Sequence, residues 1–237
     1  FNWTPNDPLY SVQWTLNNTG QTITTAGGTA YGDLASTNGI PGADMDVDKA
    51  WNIVKGNNSV IIGVFDTGVD SVHSDLVQNL IAGYNAYANT NSVATDPGSH
   101  GTCTMGIIGA RSNNSVGVAG ICGGDNTSNS NCKMMSFRLV TNTGAFTTDV
   151  NIARAFDTAR VRGIHVSSNS WGGGTPSTTL IDAINNCAIN GRGGRGTVIL
   201  FSSGNEGKNP PNYPSYLSSV VFGGASTPND QMKCAGT

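Results

Sequence analysis

Three polar residues of this chain have the types needed for acyl transfer: the carboxylate Asp66, the imidazole His100 and the carboxamide Asn205. In such chemistry a carboxylate orients an imidazole, which acts first as general base and then as general acid. A side-chain amide stabilises the oxyanion of the tetrahedral intermediate. The three residues lie far apart in the sequence, so the elements around them must bring them together.

The elements next to these residues predict a shared location. Asp66 directly follows an apolar run, 60–65, whose β-branched residues predict a strand buried on both faces of a parallel sheet. His100 opens a predicted helix, whose positive end keeps an imidazole neutral. Asn205 follows a predicted strand over 197–203. Because ligands and chemistry collect at the carboxyl ends of parallel strands, we expect the three side chains at one edge of the sheet.

The rest of the chain alternates between predicted strands and helices, as βαβ units do. Further strands are predicted over 133–140, 164–170 and 220–225, and helices over 47–54, 147–162 and 178–189. The fold class is therefore α/β, with three layers and a mainly parallel central sheet. The helical residues predicted to face the core are Ala50, Trp51, Val54, Val150, Ala153, Phe156 and Ala159.

Composition limits the partners and the domain count. With 237 residues the chain is most simply one large domain, in which 1–45 form an irregular N-terminal arm and 46–237 the catalytic domain. A net charge of -3 gives no reason to expect nucleic acid or an anionic membrane as partner. No apolar run is long enough to span a bilayer. The start at Phe1, without a signal peptide, leads us to expect a processed or trimmed chain.

The five cysteines bear on the compartment. Cys122 and Cys132 bracket a loop rich in Gly, Asn and Ser, and a disulfide between them would indicate an oxidising environment and secretion. The odd number leaves at least one thiol without a partner. Cys103 and Cys187 are predicted to be small buried apolar residues.

Four short segments, in this order, resemble signature blocks of the subtilisin-like serine proteases, or subtilases. They are 66–70 (DTGVD), 100–102 (HGT), 170–173 (SWGG) and 203–207 (SGNEG). Each block alone is only suggestive, whereas four in order at expected strand or helix ends are specific. The resemblance runs from about Asp7 to the end of the chain.

The resemblance implies a role for each candidate residue. Asp66 and His100 would be the acid and base of the family's Asp-His-Ser triad, and Asn205 the oxyanion donor. The edge from Ser170 to Gly172 would pair with an extended polypeptide substrate by strand addition. No acidic residue follows Trp171, which argues against a furin-like preference for basic residues. The residues implied in substrate binding are Ser170, Trp171, Gly172, Gly204 and Asn212.

A second resemblance concerns a metal. Segment 113–118 is similar to the loop that binds calcium in many subtilases, and calcium takes six to eight oxygen ligands of mixed type. A bound Ca²⁺ would tie the N-terminal arm to the domain, although the segment could also be an Asn-rich surface loop. The implied ligands are the side chains of Asp7, Asp75 and Asn114 and the backbone carbonyls of Ser112, Val116 and Val118.

The family's nucleophile has no counterpart here. It belongs to a Gly-Thr-Ser block that opens a long buried helix, and no serine up to Thr237 has that context. We therefore expect the C-terminal part of the fold, with the serine, to lie in a further segment or companion chain. We also expect an uncovered apolar face beside the strand ending at Ser203. The alternative is a non-catalytic subtilase-like fragment or pseudoenzyme that binds peptides without cutting them.

One other protease class shares the first block. Asp-Thr-Gly also begins the aspartic-protease motif, in which two carboxylates share a proton. That mechanism needs a second copy of the motif or a dimer, on an all-β frame. This chain has one copy, at Asp66, within a βαβ pattern, so the aspartic-protease interpretation is disfavoured.

Overall fold

The computed structural model describes residues 3–23, 37–92 and 95–231. Eight strands and four α-helices follow a short 3-10 helix at Tyr10–Val12 within these residues. The strands are β1 Thr22–Ile23, β2 Thr37–Asn38, β3 Ile61–Asp66, β4 Leu80–Asn85, β5 Lys133–Arg138, β6 Val166–Asn169, β7 Val198–Ser202 and β8 Val221–Gly223. The helices are α1 Val47–Ala50, α2 His100–Gly109, α3 Asp149–Val161 and α4 Thr178–Gly194.

Strand β3 lies at the centre of a six-stranded parallel sheet of order β4-β5-β3-β6-β7-β8. Its residues Val64 and Phe65 are buried, one on each face of the sheet. The prediction of a central strand buried on both faces is confirmed. The pair β1 and β2 forms a separate two-stranded antiparallel sheet.

Helices cover both faces of the sheet. On one face α3 and α4 pack together, and the ring of Phe65 stacks on Phe137 and on Phe156, with centroids 4.3 and 4.5 Å apart. On the other face α2 buries Met105 against Val64. The α/β fold with three layers is confirmed.

Several local predictions were wrong. Val54 and Val150 are exposed, at 60% and 49%, and Ala50 is exposed too. Helix α1 is a single turn whose buried stripe runs from Val47 to Trp51, and Val150 lies in the first turn of α3, before that helix reaches the core. Among the thiols, Cys187 is buried as predicted, but Cys103 is exposed because it lies on the outer side of α2.

The described part of the N-terminal arm packs on the domain. Leu16 is fully buried in a small cluster with Trp51, and the Trp3 ring meets Trp51 edge to face at 5.1 Å. The Leu9 amide donates to the Gly117 carbonyl at 3.0 Å, which ties the arm to the loop 113–118. The division of the chain into an arm, 1–45, and a domain, 46–237, stays a prediction.

One half of the sheet carries an exposed apolar surface. Val198, Leu200 and Val221 are 48, 36 and 59% exposed. The strand register puts Leu200 and Val221 on the same side as Val64, the side covered by α2 at β3 and β5. The expected uncovered apolar face beside Ser203 is therefore present at β7 and β8. None of the helices described here has the length and apolar character to cross a membrane.

Candidate active site

The carboxyl ends of β3, β6 and β7 meet at one edge of the sheet because the three strands are parallel neighbours. Strand β3 ends at Asp66, β6 is followed by Ser170, and β7 is followed by Gly204 and Asn205. The structure thus places the predicted residues along a common edge.

Asp66 and His100 are in direct contact at this edge. The Asp66 Oδ1 atom lies 2.7 Å from His100 Nδ1 and also accepts from the Thr67 amide at 2.7 Å. The carboxylate side chain is only 4% exposed, whereas the imidazole is 57% exposed. An ionised carboxylate only accepts hydrogen bonds, so Nδ1 of the ring carries the proton. In the neutral ring Nε2 is then the nitrogen without a proton, which is the form that a general base requires.

Two glycines permit this contact. A Cβ atom at Gly101 would collide with the Gly68 carbonyl oxygen and would lie 3.1 Å from the Asp66 Cβ. Gly68 itself has a φ of +130°, and a Cβ there would come within 2.5 Å of the Thr95 carbonyl oxygen. The start of α2 can therefore approach the end of β3 only because these positions lack side chains.

A cleft beside the pair collects the residues implied in substrate binding. The Asn212 side-chain Nδ2 and the backbone N–H of Asn205 both donate to Glu206 Oε2, at 2.7 and 3.2 Å. Glu206 therefore links the two ends of the cleft-lining segment 205–212, a role that the sequence analysis did not assign although Glu206 lies within a signature block. The predicted residues that line this cleft are Ser170, Trp171, Gly172, Gly204, Asn205 and Asn212.

A further residue missed from the sequence is Asp96. Its carboxylate accepts hydrogen bonds from Thr67 and Thr102. Thr67 directly follows Asp66, and Thr102 lies two residues after His100. The only sequence signal was an aspartate followed by Pro-Gly, four residues before the histidine. Such a pattern reads as a turn, and only the folded chain shows where the carboxylate points.

The residues implied as calcium ligands also cluster. The Asp7 carboxylate accepts from the Asn113 amide at 2.6 Å, and Asp75 accepts from Asn114 Nδ2 at 2.9 Å and the Val118 amide at 3.0 Å. Asp7 and Asp75 are 5 and 1% exposed. Burial raises the pKa of Asp7, the nearby charge of Asp75 adds to this, and the backbone amides of the loop oppose it.

The cluster offers oxygen atoms of the kind that calcium takes. Asp7 and Asp75 are both buried and both accept hydrogen bonds from Asn114, and a Cβ at Gly117 would collide with the Asp75 carboxylate, so the loop wraps closely around it. The Val116 amide donates to Asn114 Oδ1 at 2.8 Å, which turns the loop back on itself. Within the described residues no group of three or more His, Cys, Asp or Glu side chains could hold a metal, so backbone carbonyls would have to complete the site.

Cys122 and Cys132 lie next to each other as thiols. The Cys132 amide donates to the Cys122 carbonyl at 2.9 Å, and the Cys122 thiol donates to the Ile108 carbonyl. A hydrogen bond between the two sulfur groups lowers the pKa of Cys132 and raises that of Cys122. Their proximity is compatible with the predicted pairing. The fifth cysteine, Cys234, lies outside the described residues.

Comparison with known proteins identifies the family of this chain. The sequence profile of the Subtilase family (Peptidase S8) matches residues 57–234. Thermitase from Thermoactinomyces vulgaris is 30% identical over 235 residues, which cover 99% of this chain and 70% of that sequence. Human neuroendocrine convertase 2 is 32% identical over 234 residues, and these cover 91% of this chain but 32% of the convertase. The chain thus spans about a third of the convertases that it matches.

The solved structures support the same fold. A protease structure from Pseudoalteromonas arctica PAMC 21717 superimposes with a TM-score of 0.72 at 24% identity, covering 96% of this chain and 67% of that one. The profile match over most of the chain, together with the identity to thermitase along nearly its whole length, shows that this chain belongs to the Subtilase family.

Proposed function

We propose that the protein is a secreted, calcium-stabilised serine endopeptidase. Asp66 orients His100, His100 moves the proton, and Asn205 stabilises the oxyanion. The observation that carries the proposal is the 2.7 Å contact between the buried Asp66 carboxylate and the exposed His100 ring, at a sheet edge beside a cleft. Membership of a family of serine proteases supports the same reaction class.

The proposed chemistry uses the two faces of the imidazole differently. Nδ1 remains bonded to Asp66, while Nε2 takes the proton of an attacking hydroxyl and later gives it to the leaving amine. The buried carboxylate stabilises the imidazolium that forms in between. The Asn205 carboxamide would donate to the oxyanion of the tetrahedral intermediate. The reaction yields an acyl-enzyme, which water then hydrolyses.

The attacking serine would come from a segment outside residues 1–237, or from a companion chain. No serine hydroxyl in 3–23, 37–92 or 95–231 is hydrogen bonded to the His100 ring. The exposed apolar side chains of Val198, Leu200 and Val221 support this origin. They form a surface on which an apolar helix of such a segment would pack.

The proposed substrates are polypeptides in extended conformation. The backbone from Ser170 to Gly172 borders the cleft, where a strand could be added and held by main-chain hydrogen bonds. A second groove continues from Trp171 past Phe146 and Leu180 to Tyr213. The two grooves together offer room for several residues of an extended polypeptide.

Calcium would be held by Asp7, Asp75 and Asn114 with the carbonyls of Ser112, Val116 and Val118. Bound there, it would supply positive charge to two buried carboxylates and fasten the N-terminal arm to the domain. The raised pKa of Asp7 supports this assignment, because burial beside Asp75 makes the ionised form costly without a cation. Secretion and the Cys122–Cys132 disulfide belong to the same proposal, because disulfides form and persist in the oxidising environment of secreted proteins.

The test uses the full-length protein. Fluorophosphonate labelling with intact-mass measurement should show one labelled serine that lies outside residues 1–237, and a peptide library should be cleaved at internal bonds. A folded full-length protein that takes no label and cuts no peptide would contradict the proposal. The His100→Ala variant, which keeps the serine but loses its base, is the matched control.

One observation favours a second function. The described residues include the base His100, the acid Asp66 and the cleft, but no described serine is hydrogen bonded to the His100 ring. In that case the protein binds peptides at the 170–172 edge without cutting them. Peptide binding by isothermal titration calorimetry, in a protein that resists fluorophosphonate, would select this alternative.

A further inference from the structure

Two threonines from separate signature blocks converge on one carboxylate. Thr67 Oγ1 donates to Asp96 Oδ1 at 2.7 Å, and Thr102 donates to Asp96 Oδ2 through both its hydroxyl, at 2.6 Å, and its amide, at 2.8 Å. Asp96 belongs to neither block. It lies between them in the sequence and joins the end of β3 to the start of α2.

Each threonine hydroxyl is used a second time, as an acceptor. The Gly101 amide donates to Thr67 Oγ1 at 2.9 Å, and the Asp70 amide donates to Thr102 Oγ1 at 2.9 Å. A hydroxyl has a single proton, and a carboxylate can only accept. The Asp96 carboxylate therefore forces both hydroxyls to donate towards it, which leaves their lone pairs for the two amides.

The electrostatics of Asp96 agree with this role. Burial would raise the pKa of Asp96, but donation from the hydroxyls of Thr102 and Thr67 and from the amides of Thr102 and Gly98 outweighs burial and lowers the pKa. Asp96 forms no ion pair with a basic side chain in the described part of the chain. Its negative charge is thus held by hydrogen bonds from the two blocks, together with one from the Gly98 amide at 3.1 Å.

From this network we infer that Asp96 is a positioning residue, which fixes the distance and angle between Asp66 and His100 by holding Thr67 and Thr102. The inference rests on the proposed function for its catalytic consequence. Its structural part stands apart from it, because the network is built from contacts at 2.6–2.9 Å that do not involve substrate. Misplacing a catalytic group by about 1 Å can cost on the order of 100-fold in rate.

The test is Asp96→Asn in the full-length protein. An asparagine presents an NH₂ group where Oδ2 now accepts two donors, so the network cannot close. We expect kcat to fall by about 10- to 100-fold with KM changed by less than about twofold, because positioning acts on the transition state. The NMR signal of the His100 Nδ1 proton should weaken or shift. Asp182→Asn is the matched control, because Asp182 is an exposed aspartate on α4 that belongs neither to a signature block nor to the network.

A second pair of variants covers poor folding of Asp96→Asn. Thr102→Val removes one hydroxyl from the network and Thr102→Ser keeps it, so the valine variant should lose kcat and the serine variant should retain it. An unchanged kcat and an unchanged His100 proton signal in folded Asp96→Asn would overturn the inference while leaving the peptidase assignment intact. A wild type that cuts no peptide, with the proton signal still dependent on Asp96, would overturn the function alone.

Discussion

Two regions of this molecule hold pairs of aspartates that are wholly or partly buried, and the surroundings of the two pairs differ. At the sheet edge, Asp66 and Asp96 are surrounded by hydroxyl, amide and imidazole donors, and the pKa of Asp96 is lowered. In the loop region, Asp7 and Asp75 lie close together, and the pKa of Asp7 is raised by burial and by its neighbour's charge. At the edge, hydrogen bonds from the protein stabilise the carboxylates. In the loop, two carboxylates lie close together, an arrangement that a bound cation would stabilise.

The number and arrangement of donors around a carboxylate decide what it can do. Enough donors lower the pKa of a carboxylate and let it hold a geometry, as at Asp96. Two carboxylates buried close together remain costly even where amides donate to them, and a divalent ion would relieve that cost. The functions proposed above therefore fall in separate regions: proton transfer at the edge, and stabilisation by a cation at the loop.

The largest expected effect is on activity at the edge. His100→Ala or Asp66→Asn in the full-length protein should lower kcat/KM on the order of 10⁴-fold, because the base or its orienting acid is lost. Asp7→Asn, assayed with calcium at a temperature where it is folded, should leave kcat unchanged. Kinetics on one internally quenched peptide would measure all three. A comparable loss of kcat in Asp7→Asn would contradict the proposal that the edge acts in catalysis and the loop only in stability.

Oxidation of the Cys122–Cys132 pair should stabilise the loop side of the molecule. Asn113 Nδ2 donates to the Asp125 carbonyl, so the loop bracketed by the cysteines supports the calcium-like loop. Closing a loop of about ten residues should raise the free energy of unfolding by about 3 kcal/mol in the chain-entropy account. Urea unfolding of oxidised and reduced protein would measure it. Cys132→Ser should abolish the difference and Cys103→Ser should not.

Calcium should stabilise the protein by a similar amount. At a free concentration 100 times its dissociation constant, an ion bound only by the native state adds about 2.7 kcal/mol, or roughly 5–10 °C in Tm for a domain of this size. Differential scanning fluorimetry with and without EDTA would show the shift. Asp7→Asn should lose most of it, whereas Asp125→Asn, which changes a partly exposed carboxylate bonded to the Thr127 amide, should keep it. An equal shift in Asp7→Asn would contradict the assignment.

The smallest effect is the pH dependence of stability, which should have opposite signs in the two regions. The folded pKa of Asp96 lies below 3.8, so its contribution is present above that pH and is lost as the pH falls further. The folded pKa of Asp7 lies above 3.8, so without calcium its ionised form is destabilising and lowering the pH relieves that cost. Unfolding of Asp96→Asn and Asp7→Asn in EDTA between pH 3 and 7 should show differences from wild type of about 1 kcal/mol with opposite slopes.

The sequence alone predicted most of the elements and the common edge. Period and composition were sufficient for β3, because a β-branched apolar run buried on both faces has few alternatives. They were not sufficient for β4, Leu80–Asn85, because its apolar segment is short and is flanked by turns. They also failed at Val150 of α3, which was predicted to face the core and is exposed. In α4 the helical geometry breaks at Gly191–Gly193, beyond the predicted end at residue 189.

By itself, the sequence determined the family, the order of the strands' polar ends and the choice of Asp66, His100 and Asn205 as candidates, because residue types and local periodicity are properties of short segments. Tertiary structure alone decided that Asp66 meets His100, that Glu206 bonds to Asn212 beside the cleft, and that Asp96 accepts from Thr67 and Thr102. Those contacts depend on close backbone approach at Gly68 and Gly101 and on where separate strands end, and both are fixed only when the sheet is assembled.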